Sequence, residues 1–135
     1  MKFKLSLLVF AFFVLASCGI NRTRNSVKVG KWVSKDTIDG ISYKYIEYYK
    51  NGQETKTWRI YKNNTISKSE KYKGNTSTIK FYNEAKQVIA TGKTQLDETE
   101  KLVHWYYHGD WRFYDNNGKL LQTKSYYYGK IMATK

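Results

Sequence analysis

The side chains in this chain that could do acid–base, metal or nucleophilic chemistry are few. His104 and His108 are its only imidazoles, and with Asp110 they offer a thin metal or acid–base set. Strand periodicity puts both histidines on one side only if a strand runs on through residue 108, and no third strong ligand stands nearby. Asp97, Glu98 and Glu100 gather carboxylates, but the glycine and alternating oxygen ligands of a calcium loop are missing, so they read as a solvated turn. Serines occur without a G-x-S-x-G context, and no glycine-rich phosphate loop is present. Cys18 is the single cysteine, which removes disulfide frameworks and thiolate metal sites. No catalytic, cofactor or metal residue is therefore assigned, and the chain is read as non-enzymatic.

What remains is charge and aromatic surface. Between residues 56 and 80, Lys56, Arg59, Lys62, Lys68, Lys71, Lys73 and Lys80 face only Glu70, with rings interleaved among them. In a cytoplasmic protein that pattern suggests phosphate neutralisation and base stacking on nucleic acid. In an exported one it suggests lipid phosphates, anionic glycan or an acidic protein. Trp58, Arg59, Tyr61, Trp105, Tyr107, Trp111 and Tyr127 are the candidate partner-binding residues.

The amino terminus indicates export. Lys2 and Lys4 precede an apolar run from Leu5 to Leu15 broken only by Ser6, the build of a secretory signal. About 11 helical residues rise about 17 Å, short of a bilayer core of roughly 30 Å. The run closes in Leu15-Ala16-Ser17-Cys18-Gly19, which resembles the lipobox of bacterial lipoproteins. That resemblance implies cleavage before Cys18 and its palmitate-type acylation, a durable anchor at about 0.8 kcal/mol per buried methylene. With Gly19 rather than Asp beside the cysteine, it also implies the outer membrane in a cell that has one. Residues 1–17 are then signal peptide and residues 18–28, with Arg22, Arg24 and Lys28, a basic tether that can rest on anionic headgroups.

Residues 29–135 must supply the domain. Removing Lys2 and Lys4 leaves 22 basic against 11 acidic side chains, +11, on a mature chain of 118 residues. Its 19 aromatics equal its 19 Ile, Leu, Val and Met residues, so rings must build much of any core. Absence of proline, with 9 glycines, argues against proline-rich or collagenous structure. Strands are expected at 29–34, 41–49, 54–62, 65–73, 76–83, 87–94, 102–107, 111–115, 119–128 and 130–134. Between them stand turn signals such as Asp39-Gly40, Asn51-Gly52, Asn63-Asn64, His108-Gly109-Asp110 and Asn116-Asn117-Gly118. The expected fold is all-β, an antiparallel meander of about 8–10 strands, as a repeat hairpin sheet or a small barrel.

Two resemblances bear on that choice. Tyr114-Asp115-Asn116-Asn117-Gly118 is followed nine and eleven residues after the glycine by Tyr127 and Gly129, and Tyr48 to Gly52 by Tyr61 and Asn63 at the same offsets. A degenerate copy starts at Tyr82 with Lys86 in the glycine's place. The segment 111–130 resembles the MORN-type variant repeat, which implies successive hairpins in envelope lipoproteins, some of them antitoxin-like. Gly30-Lys31-Trp32 instead resembles the opening of lipocalin-type barrels, which implies a cavity for a small apolar ligand. The leading expectation is a non-enzymatic, lipid-anchored envelope protein that binds a protein or anionic envelope partner, immunity-like in one subcase; the second is a carrier.

Overall fold

The computed structural model describes residues 19–99 and 102–135; the leader, Cys18, Glu100 and Lys101 lie outside the described residues. The described residues form one antiparallel sheet of 11 strands. In chain order these are β1 (Arg22–Arg24), β2 (Val27–Ile38), β3 (Ile41–Lys50), β4 (Gln53–Glu54), β5 (Thr57–Lys62) and β6 (Thr65–Lys73). They continue as β7 (Thr76–Tyr82), β8 (Val88–Thr99), β9 (Leu102–Tyr114), β10 (Leu120–Tyr127) and β11 (Lys130–Thr134). Each strand pairs with its neighbours in sequence, apart from β3, which pairs with β5 and carries the two-residue β4 at its end.

The sheet is open: β1 and β11 are its two edges and do not pair. The expected all-β meander is present, in its sheet form and not as a closed barrel. Trp32, which the lipocalin likeness would place across a barrel floor, instead donates its indole N–H to the Arg22 carbonyl at 3.2 Å near the open edge.

Turn chemistry explains the meander. Asp39-Gly40 and Asn63-Asn64 both hold two successive residues at positive φ, between 47° and 76°. That is the backbone of the two-residue hairpin turn whose twist matches the flanking strands, and Asn, Asp and Gly reach it at least cost. Of the three segments that the sequence aligns as copies, the first turns on two positive-φ residues, Asn51 and Gly52, and the later two on one each, Lys86 at 63° and Gly118 at 79°. In the later two copies a side-chain oxygen holds the turn: Asn83 Oδ1 accepts from the Gln87 N–H and Asp115 Oδ1 from the Lys119 N–H, each at 2.9 Å. Asn83 Nδ2 then donates to Asn116 Oδ1 at 3.2 Å, tying these turns together.

Three local expectations are corrected. Residues 22–28, placed in the tether, form with Val29 a hairpin on the sheet edge, with Arg22 opposite Val29 and Arg24 opposite Val27; alternating polar and β-branched residues suit an edge strand as well as a linker. His108-Gly109-Asp110 is not a turn. β9 runs through it, and between the pairs Lys93–His108 and Thr91–Arg112 it carries two more residues than β8, a bulge absorbed at Gly109 with φ 69°. Asp97 and Glu98, read as turn, continue β8 opposite His104 and Val103.

Candidate functional site

Cross-strand register sorts the side chains. One row across the sheet runs Tyr45, Ile60, Lys68, Phe81, Ala90, Phe113, and belongs to the first face. One residue along, Val33, Ile46, Arg59, Ser69, Lys80, Thr91, Arg112 and Thr123 form a row on the opposite face. Alternation along each strand extends both assignments.

The first face carries a continuous run of rings. Trp32 and Tyr49 centroids lie 6.3 Å apart, Tyr49 and Trp58 4.9 Å, Trp58 and Tyr72 5.0 Å, and Tyr72 and Trp105 5.2 Å. The last contact spans two strands, because Tyr72 is on β6 and Trp105 on β9. It is possible because the register places small Ser77 and Thr94 between Tyr72 and Tyr107. The two large rings meet above these hydroxyls, which are therefore only 2% and 4% exposed on a single-layered sheet.

Burying hydroxyls requires partners. Ser77 Oγ donates to Glu70 Oε1 at 2.6 Å, and its single proton being used there, Thr94 Oγ1 donates to Ser77 Oγ at 2.5 Å. Lys68 Nζ closes the chain on Glu70 Oε2 at 2.8 Å. Burial, then the Glu70 and Glu54 carboxylates, push the Tyr72 hydroxyl well above the ordinary phenol range. Burial, then Glu47 and Glu54, do the same to Tyr49.

Beside this chain lies the apolar core. Trp111, 1% exposed, arches over Gly92: a Cβ at Gly92 would stand 2.1 Å from the indole. The bulge in β9 permits the arch, Tyr107 stacks on Trp111 at 4.0 Å, and the indole N–H donates to the Lys93 carbonyl at 3.0 Å.

Carboxylates share this aromatic face. Asp36 stands opposite Tyr43, Glu47 opposite Trp32, Glu54 opposite Tyr49 and Glu70 opposite Trp58. Lys28 is held among them, its Nζ 4.6 Å and 4.8 Å from the Trp32 and Tyr49 ring centroids and 3.9 Å from Glu47 Oε2.

The opposite face is basic. Lys31, Lys35, Lys44, Arg59, Lys71, Lys73, Lys80, Lys93 and Arg112 project from it, and the carboxylates on the same face are Asp97 and Asp110. Its central cations are staggered. Arg59, Lys80 and Arg112 occupy every second strand of one row with Ser69 and Thr91 between them, while Lys71 and Lys93 fill the intervening strands of the next row beside Thr78. With strands about 4.8 Å apart, in-row cations are about 10 Å apart, which avoids like charges directly opposite.

The seven candidate contact residues thus do not form one surface. Trp58, Trp105, Tyr107 and Trp111 lie on the aromatic face, and Arg59, Tyr61 and Tyr127 on the basic one. Trp111 is core and is unreachable by a partner. Glu70, Ser77 and Thr94, the polar centre of the aromatic face, lie outside the candidate set, since two hydroxyls and a carboxylate on three strands have no signature without register. The histidines share a face because β9 does run through 108, each 6.4 Å from Tyr106, His104 stacked on it and His108 edge-on. Asp110 is engaged by the Ser125 hydroxyl. Among the described residues no group of three His, Cys, Asp or Glu side chains is placed to hold a metal. Trp105 Nε1 and His108 Nδ1 are buried without a hydrogen-bond partner among them.

Neither a protein-family model nor a curated protein nor a solved structure matches this chain.

Proposed function

We propose that this chain is a non-enzymatic lipoprotein of the cell envelope, anchored through acylated Cys18, whose sheet lays its basic face on an anionic envelope partner. The observation that carries the reading is the sorting of charge: cations crowd one face in a staggered lattice among hydroxyls, while most carboxylates stand on the other. A regular array of Lys and Arg interspersed with Ser and Thr offers charge-assisted hydrogen bonds to repeated phosphates or carboxylates, at about 1 kcal/mol per cation near an anionic membrane. An immunity-like role is the subcase in which the anionic partner is an acidic protein. The lipobox likeness and Gly19 support an outer-membrane address.

Two measurements test the reading. Metabolic palmitate labelling should vanish in Cys18→Ala, and labelling that persists refutes the anchor. In the same Cys18→Ala background, binding to vesicles containing anionic phosphatidylglycerol should fall steeply with salt and drop at least tenfold in the Lys80→Glu, Arg112→Glu pair. Binding indifferent to both salt and charge reversal refutes the basic face.

A further inference from the structure

The aromatic face holds a second feature, independent of the basic one. The sheet curls until residues near its amino-terminal edge and the distal part of β8 and β9 line a single groove of about 640 Å³. Glu54 contributes from β4, Leu96 and Glu98 from β8, and Val103 and Trp105 from β9, and Lys50 at the end of β3 also lines it. Glu54 makes no ion pair among the described residues. On a chain of formal charge +13, this groove sets two carboxylates, Glu54 and Glu98, beside the Trp105 indole.

The same face already shows what such a setting holds. One step along the aromatic row, the Lys28 ammonium sits over the Trp32 and Tyr49 rings, hydrogen-bonds the Tyr49 hydroxyl at 3.3 Å and lies 3.9 Å from Glu47. Indole, phenol and carboxylate together bind a cation through ring quadrupole and Coulomb attraction. The next stretch of the row, Trp58, Tyr72 and Trp105 with Glu54, repeats those three chemistries, and among the described residues no cation is ion-paired with Glu54.

We infer that the groove walled by Glu54, Glu98 and Trp105 receives an arginine or lysine side chain from an extended segment of a partner protein. The indole provides a face for the planar or alkyl part of that side chain, and Glu54 a charged acceptor. Charge complementarity selects this occupant: an acidic or neutral segment would leave the Glu54 carboxylate desolvated without compensation.

The test uses the full chain, purified from membranes in neutral detergent, and acetyl-Gly-Arg-Gly-Arg-Gly-amide, with the citrulline peptide as a neutral isostere, followed by calorimetric titration. The arginine peptide should bind saturably, at least tenfold tighter than the citrulline peptide. Glu54→Gln, a near-isosteric change at a half-buried residue of the two-residue strand β4, should remove most of that preference while leaving the melting temperature within about 2 °C. Lys80→Glu with Arg112→Glu, on the other face, should leave it intact, so failure here is separable from failure of the anionic-partner reading. Equal affinity for both peptides, an undiminished preference in Glu54→Gln, or no saturable binding overturns the inference.

Discussion

The two faces of this sheet are built from alternate residues of the same strands, yet they are organised by different forces. On the aromatic face, side chains lean across strands and bury each other: Tyr72 meets Trp105 above Ser77 and Thr94, and Trp111 arches over Gly92. On the basic face the central cations stand apart, separated by hydroxyls, and Lys71, Lys80, Lys93 and Arg112 remain exposed. A single-layered sheet has no second layer to bury a face against, so large rings serve as their own covering layer. The comparison teaches that stability belongs to one face and charge to the other, and that they can be perturbed separately.

The largest effect should come from Trp111→Ala, which empties the best-buried position of the aromatic face and should cost about 3–5 kcal/mol in urea unfolding. A loss under about 1 kcal/mol would show that the rings do not hold the sheet. Ser77→Ala deprives Glu70 of a donor and leaves the Thr94 hydroxyl without its acceptor; the expected cost is about 1–3 kcal/mol in the same assay. Alkaline titration gives a third test. The Tyr72 hydroxyl starts from an unfolded value of 10.0 and is raised in the folded protein, so the folded state keeps its proton longer. Its contribution is intact below pH 10 and is lost as pH rises further, at up to about 1.4 kcal/mol per pH unit. Tyr72→Phe should therefore show a shallower alkaline decline than the parent, and identical slopes would remove Tyr72 from the account. The smallest effect belongs to the other face: Lys80→Glu with Arg112→Glu should shift unfolding free energy by no more than about 0.5 kcal/mol per site. A larger loss would mean that the basic face is also structural.

Much of the strand order was legible from local chemistry. Asp39-Gly40, Asn51-Gly52 and Asn63-Asn64 announce hairpins because few residues tolerate positive φ, and strands expected at 65–73 and 130–134 have those bounds. His108-Gly109-Asp110 misled because a glycine at positive φ serves a bulge as well as a turn, and only the pairing partner distinguishes them. The candidate surface divided for a related reason. Arg59 and Trp58 are adjacent in sequence, and adjacency in a strand means opposite faces.

Composition, turn residues and alternation by themselves determined an all-β chain of short antiparallel strands rich in rings and cations, since these depend on backbone preferences that act within a few residues. The tertiary structure decided that the sheet stays open, that Tyr72 and Trp105 close over Ser77 and Thr94, and that Glu54, Glu98 and Trp105 share a groove. Those outcomes depend on register, bulge position and sheet curl, which bring together residues tens of positions apart and leave no local mark on the chain.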